Sequence, residues 1–280
     1  MSYSKIDDID LRARQVMAIV NVTDDSFYAA SRNAGCDCLQ TTISRHIADG
    51  ASILDIGGYS SRPGAADIPL EEEWRRVDMG VGAVRCREDA GADTPISIDT
   101  FRSEIVRRTV ERYGRVMVND ITGGDGDERM WQTVAELDLP YVLMHMRGTP
   151  RTMQQLATYD DVVQQVCDDL QAKAERLLAC GLSPKRVVID PGFGFAKTME
   201  QNYALLLHLE SVCRLGFPVL VGLSRKSMIT RLLDIEPKDA LCGTQVLCWE
   251  ALRQGASILR VHDVRETMAT VRMYETFIRE

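Results

Sequence analysis

Residues 219–228 read VLVGLSRKSM, an apolar run that ends on Ser224, Arg225, Lys226 and Ser227. Seven other short apolar runs also end on polar side chains, at Asn21, Asp55, Asp99, Asn119 with Asp120, His145, Asp190, and Arg260 with His262. Carboxylates accept N–H donors in pairs, carboxamides donate and accept, and Lys or Arg holds an anion. Taken singly, each Asn or Asp either turns the chain and caps the next helix or meets a ligand. Taken together, eight polar strand ends describe the floor of one pocket. Arg260 and His262 stand two apart, so on a strand both point to the same side. Asp55 and Asp120, each beside another candidate and ahead of a Gly-containing turn, read as structural residues that turn the chain or cap the next helix, and His145 reads as a supporting residue. No Ser/His/Asp or Cys/His triad is visible, so the pattern points to binding and charge stabilisation instead of a covalent nucleophile.

The elements that must carry these residues repeat. Strands are expected at 16–20, 52–56, 95–98, 116–118, 141–144, 187–189, 218–221 and 257–261, alternating with amphipathic stretches. Helices are expected near 38–49, 70–86, 103–113, 128–137, 160–180, 198–213, 238–254 and 265–278. Eight βα units in one domain over residues 1–280, with no Pro/Gly/Ser linker, fit a closed (β/α)8 barrel, an α/β TIM barrel. A doubly wound open sheet is the competing architecture. Against it, the first strand runs into NVTDDSF and not into a Gly-rich phosphate turn. In a barrel the polar strand ends all open onto one face.

The chain is 45% apolar and 26% charged. That composition suits a globular protein with a large core. A net charge of −8 argues against a nucleic-acid or membrane surface, so any anion must be held by a local cluster. Eight cysteines without CxxC or zinc spacing look like reduced core residues of a cytoplasmic protein. The polar, acidic MSYSKIDDID start does not resemble a signal peptide. No apolar run approaches the length of roughly 18 residues that a membrane-spanning helix needs.

The motifs IVNVTDDSF (19–27), LDIGGYSSRPGA (54–65), SIDT (97–100), VNDITGG (118–124), LMHMRGTPRTMQ (143–154), IDPGFGFAKT (189–198), VGLSRKS (221–227) and LRVHDV (259–264) resemble, in order, the signatures of the dihydropteroate synthase family. The resemblance covers nearly the whole chain. It implies a folate-pathway transferase that moves an alkyl group other than methyl. The diphosphate of (7,8-dihydropterin-6-yl)methyl diphosphate would be displaced by the amine of p-aminobenzoate, with Mg2+ as cofactor and small molecules as partners. It also implies a homodimer and a sulfonamide target.

By the same resemblance, Asp190 accepts the donor pair on the pterin edge, Asp99 and Asn119 meet the remaining ring nitrogens, and Lys226 meets the ring carbonyl. Met144 and Phe195 would pack on the ring, although GFGF (192–195) reads equally as a Gly turn with core aromatics. Asn21, Ser61, Arg260 and His262 would hold the diphosphate, with Asn21 the one protein ligand to magnesium. Phe27, Arg62, Pro63 and Ser227 would seat p-aminobenzoate. Asp99, Lys226, Arg260 and His262 are the expected catalytic set, while Arg225 turns outward and supports its loop.

The chain departs from the family pattern at Asp24, Ala29, Ala30, Ser31, Tyr59 (where Glu is common), Ser61 and Ala196. The acid missing at 29 bears on one contact to the second substrate or the cationic intermediate, so altered loop closure is expected. Two other readings compete: a pterin-binding methyltransferase module of the corrinoid kind, and a catalytically impaired pterin-binding paralogue. SRKS, RVH and SSRPG favour the synthase, because a methyltransferase holds no diphosphate.

Overall fold

A computed structural model describes residues 5–22, 32–60, 67–149 and 152–278. Eight parallel strands form one sheet: β1 (Gln15–Asn21), β2 (Ile53–Gly57), β3 (Ile96–Asp99), β4 (Met117–Asp120), β5 (Tyr141–Met144), β6 (Val187–Asp190), β7 (Leu220–Val221) and β8 (Ile258–Val261). The sheet runs β6-β5-β4-β3-β2-β1-β8-β7, and a bridge between Ile189 and Val219 brings its two ends together into a barrel. That join is thin. A single bridge, which includes the Ile189 N–H to Pro218 O bond at 3.0 Å, links β6 to β7, whereas β1 and β2 share five register pairs.

Helices follow the strands: α1 (Arg32–Ala48), α2 (Leu70–Arg85), α3 (Ser103–Tyr113), α4 (Met130–Glu136), α5 (Val162–Ala179), α6 (Met199–Leu207), α7 (Leu209–Cys213), α8 (Ser227–Leu233), α9 (Leu241–Arg253) and α10 (Val264–Phe277). Helix α5 shows why these segments fold as they do. Asp161 caps it by accepting from Val163 N–H and Gln164 N–H, and Val162, Val166, Cys167, Leu170, Ala174 and Leu177 bury one stripe. Gly181, at φ 100°, then takes the left-handed conformation that ends such a helix. The single helix expected at 198–213 is two, broken at His208, and the one expected at 238–254 begins as a 3-10 turn, Pro237–Asp239, before α9.

Two apolar layers follow from the period of a strand. Outward residues such as Val16, Leu54, Ile96, Val118, Leu143 and Ile189 pack under the helices. Inward residues Met17, Ile53, Met117, Val142, Val188, Leu220 and Ile258 fill the base of the barrel, which Ile6 and Leu11 close from below. Further along the same faces come Asn21, Asp55, Asp99, Asn119, Asp190 and Arg260. The barrel interior therefore changes from apolar floor to polar mouth within single strands. Four of the expected polar tips, Asn21, Asp99, Asp120 and Asp190, are the last strand residues themselves, held by the ladder.

The cysteines depart from expectation. Among the described residues only Cys167 and Cys248 are buried; Cys38, Cys86, Cys180 and Cys242 are exposed and Cys213 is intermediate. All seven are free thiols, and those on outer helix surfaces need no core position because a small apolar side chain is tolerated there.

Tyr59, a departure from the family pattern, has a local explanation. Its ring meets Phe101 edge to face, with centroids 5.1 Å apart. The Arg102 guanidinium lies 5.7 Å from the Tyr59 centroid, within reach of a cation–π attraction. Arg102 also pairs with buried Glu73 at 2.8 Å and donates to Ile68 O at 2.8 Å. Thr100 Oγ1 holds the other Glu73 oxygen at 2.5 Å. Burial pushes the Glu73 carboxyl up, so its ionised form depends on these two partners. Arg102→Ala should lower unfolding free energy by roughly 2–4 kcal/mol, because it strands a buried carboxylate. Glu73→Gln should lose less, and equal denaturant midpoints for wild type and Arg102→Ala would contradict the assignment.

Candidate active site

Strand register assembles the first part of the site. Asn21 pairs with Gly57, Gly57 with Asp99, and Asp99 with Asn119, so four neighbouring strands present one inward row. Glycine at 57 leaves a gap in that row. A Cβ there would lie 3.5 Å from Asn21 Oδ1 and 3.8 Å from Asp99 Oδ2. Two oxygen-bearing side chains thus flank an open space on which hard oxygen donors converge.

Behind the row stands a trio. Arg260, from β8, donates from Nε to Asp55 Oδ2 at 2.7 Å and from Nη2 to Asp99 Oδ2 at 2.6 Å. Asp55 Oδ2 also accepts from Asn119 Nδ2 at 3.1 Å. Asp55 is completely buried, and among the described residues its Oδ1 has no protein partner, nor does Oγ of Ser97, its register partner on β3. This corrects the reading of Asp55 as a turn residue: it is the buried hub joining β4 and β8. Asp120 does match that reading, accepting from Thr122 N–H, Thr122 Oγ1, Gly124 N–H and Tyr141 Oη. Burial pushes the Asp99 carboxyl up to about 7 against the pull of Arg260, with Asp55 adding repulsion. Two carboxylates share one guanidinium, so neither is fully compensated.

Arg260 and His262 leave the same strand, as expected, but find different company. Arg260 reaches across to β2 and β3, while His262 Nδ1 lies 3.0 Å from Ser224 Oγ, which also accepts from the His262 N–H at 3.3 Å.

The opposite wall is built from the β6 turn and the β7 loop. Asp190 is buried, and its Oδ1 accepts from Gly192 N–H at 2.7 Å. Burial raises its carboxyl; Lys226, Arg260 and Lys197 oppose that. Lys226 Nζ donates to Phe193 O and sits 4.6 Å from the centroid of Phe195, a cation–π distance. Burial lowers its ammonium to about 8, opposed by Asp190. The GFGF ambiguity resolves by division: Phe193 is core, whereas Phe195 is partly buried beside Met144, Met146, Met153, Ile121 and Ala196. Ala196 has φ 48°, a strained angle for a residue with a Cβ, at the position where the family pattern has Gly.

Arg225 supports its loop by pairing through Nε and Nη2 with both oxygens of Asp263 at 3.1 and 2.5 Å, a two-point grip. Ser227 is exposed at the start of α8. Phe27, Ser61, Arg62 and Pro63, with Asp24, Ala29, Ala30 and Ser31, lie outside the described residues.

One functional neighbour was missed in the sequence. Lys197, inside the IDPGFGFAKT motif, is buried and touches the β6 turn and His145. The signal was a charged residue two places after an aromatic turn, which reads as an ordinary helix start. A cavity of about 440 Å³ opens on the outer side of His145, lined also by Arg147, Asp169, Lys173 and Arg176. It includes none of the barrel-mouth residues.

Known proteins resemble this chain over most of its length. The family model described as "Pterin binding enzyme" matches residues 17–262. The dihydropteroate synthase of Synechocystis sp. is 42% identical over 260 residues, covering 91% of this chain and 87% of that protein. The chain belongs to the pterin binding enzymes, within the dihydropteroate synthase family. Solved dihydropteroate synthases share its fold. The Yersinia pestis enzyme, in a sulfonamide drug complex, superposes with TM-score 0.88 at 36% identity, covering 97% of each chain. The Xanthomonas albilineans enzyme with 4-aminobenzoic acid has TM-score 0.87 at 37% identity, covering 96% of this chain and 94% of that one.

Proposed function

We propose that the barrel mouth condenses (7,8-dihydropterin-6-yl)methyl diphosphate with p-aminobenzoate to 7,8-dihydropteroate and diphosphate. The observation that carries this reading is the convergence of Asp99, Asn119, Asp190, Lys226 and Arg260 from five different βα units around one opening. Asp190 would accept the N–H and NH2 of the pterin edge, with Asn119, fixed by Asp55, meeting a ring nitrogen. Lys226 would donate to the ring carbonyl, and Phe195 and Met144 would cover the ring.

The arylamine nitrogen attacks the exocyclic methylene carbon while the C–O bond to diphosphate breaks, its electron pair leaving with the diphosphate; the amine then loses a proton to solvent. Positive charge developing on the ring is favoured by the carboxylate form of Asp99, which shares the Arg260 guanidinium with Asp55 and so is not fully compensated. An arylamine is neutral near pH 7, so no strong base is needed. Positioning and charge supply the acceleration.

Among the described residues no three His, Cys, Asp or Glu are grouped to hold a metal. The residues do fit magnesium, which prefers oxygen and keeps waters. Asn21 Oδ1 faces the gap left by Gly57, and diphosphate oxygens would complete the shell. Magnesium, when bound, neutralises charge on the leaving diphosphate. His262 and Ser61 would add donors there, and Arg62, Pro63, Phe27 and Ser227 would seat the aromatic acid.

A homodimer is part of the proposal. Trp249 of α9 packs against Tyr274 and Phe277 of α10. Yet Val246 is 61% exposed, Met273 67% and Phe277 72%. Such an apolar face suits a second copy of the chain. A cytoplasmic location is proposed as well, and the seven free thiols support it. No helix among the described residues is long and apolar enough to cross a membrane.

The test is release of diphosphate from the pterin substrate. It should require both p-aminobenzoate and magnesium, and release independent of the aromatic acid would sink the reading.

A further inference from the structure

Lys197 is 4% exposed, and an ammonium that deep needs an acceptor for each of its three N–H bonds. It has them: Gly192 O at 3.0 Å, Phe195 O at 3.1 Å and His145 Nδ1 at 3.0 Å. An imidazole nitrogen that accepts must lack a proton, so the His145 proton belongs on Nε2. That nitrogen lies 3.1 Å from Asp169 Oδ2. Arg147 holds the same carboxylate oxygen from Nη2 at 3.1 Å, and its guanidinium stacks 4.1 Å from the Tyr159 centroid. The result is one continuous line from the pterin wall to the protein surface: turn carbonyls, Lys197, His145, Asp169, Arg147.

The turn that Lys197 grips is the one that begins at Asp190 and carries Phe195. Gly192 has φ 69°, in the left-handed region that glycine tolerates. A Cβ there would come within 2.0 Å of His145 O, so the end of β5 and this turn are pressed together. Lys226 holds a further carbonyl of the turn, Phe193 O.

Resting on the reading above, we infer that Lys197 is a positioning residue of the pterin site. It shapes the Gly192–Phe195 turn and with it the Gly192 N–H that Asp190 Oδ1 accepts at 2.7 Å, a bond that favours the carboxylate, while His145 and Asp169 hold it in place.

The charged groups around the pair come from several elements. Asp190 and Lys226 face Lys197 from β6 and the β7 loop, Arg147 from the β5 loop and Asp169 from α5; Arg260 of β8 also faces Asp190. Burial lowers the Lys197 ammonium to about 7, opposed by Asp190. Burial likewise drives His145 down to about 4, keeping it neutral as the acceptor role requires. Hydrogen bonding to His145, followed by that to Arg147, pulls the Asp169 carboxyl to about 2, so it stays an anion.

The experiment is calorimetric titration of the full chain with 6-hydroxymethylpterin from pH 5 to 9. In wild type the affinity should fall on the acid side as Asp190 protonates. Lys197→Met should weaken binding roughly 10- to 100-fold at pH 7 and move that acid limb to higher pH by roughly one pH unit, because the Gly192 N–H bond that favours the carboxylate is lost with the shape of the turn. A packing role alone would lower affinity equally at every pH, and that result overturns the inference, as does unchanged affinity. Asp169→Asn, at the 43% exposed outer end, serves if Lys197→Met does not fold. It should weaken pterin binding about three- to tenfold with the same direction of limb movement; wild-type binding in this variant would also overturn the inference. A wild-type chain that binds no pterin at any pH overturns the functional reading and this inference together, which separates the two failures.

Discussion

Asp55→Asn is expected to lower kcat/KM by roughly a hundredfold or more, although no ligand need touch residue 55. Its Oδ2 receives Arg260 Nε at 2.7 Å and Asn119 Nδ2 at 3.1 Å inside a completely buried environment. Breaking a buried charged pair costs about 3–5 kcal/mol, and each ~1.4 kcal/mol expressed in the transition state is about tenfold. Both Arg260 and Asn119 would lose their fixed direction at once. Asn119 would be free to rotate its amide, and Arg260 would belong to Asp99 alone.

The same substitution has an opposite signature in stability against pH. Asp99 is raised above its ordinary 3.8 to about 7, so the folded state holds a proton that the unfolded chain releases. Stability from this group is therefore present in full below 3.8 and is lost as pH rises toward about 7. Removing the Asp55 charge lets Asp99 ionise at lower pH and should shrink that loss. Urea unfolding of wild type and Asp55→Asn at pH 4.5 and 7.5 measures it. Near wild-type kcat/KM together with an unchanged pH slope would remove Asp55 from the site.

Lys226→Ala should weaken pterin binding roughly 10- to 100-fold while changing the affinity for magnesium diphosphate less than about threefold. The asymmetry follows from where the ammonium sits. It lies over Phe195 and against Phe193 O, on the Asp190 wall, while Asn21 lies in the β1–β4 row and Arg260 is tied to Asp55 and Asp99 of that row. A charge-assisted hydrogen bond to the ring carbonyl is worth about 1.5–3 kcal/mol. Calorimetry with each ligand separately decides the matter, and equal losses would move Lys226 to the diphosphate half.

Much of this architecture can be read from the chain because strand period and helix period are local properties. The runs ending at Asn21, Asn119 and Asp190 pass from apolar to polar inward positions within a single strand, and the barrel follows from eight alternating strand and helix segments. What could not be read is non-local. Asp55 looks like any Asp before a Gly-Gly turn; only barrel closure reveals that Arg260, 205 residues later, and Asn119, 64 later, both end on it. Lys197 sits beyond the strand tip, so the rule that sites lie at strand ends passes over it. The break at His208 carries no Gly or Pro to announce it. Cysteine burial depends on which helix face meets the barrel, which a small, mildly apolar residue does not reveal.

The thin join between β6 and β7 separates the strand that ends in Asp190 from the strand that leads to Lys226. A flat heterocycle held by both would act as a keystone there, and its occupancy and the integrity of the cylinder become one equilibrium. At a hundred times its dissociation constant such a ligand adds about 2.7 kcal/mol to the folded state. Scarcity of the pterin would then leave the empty enzyme more open to proteases, tying the lifetime of the protein to the supply of the molecule it consumes.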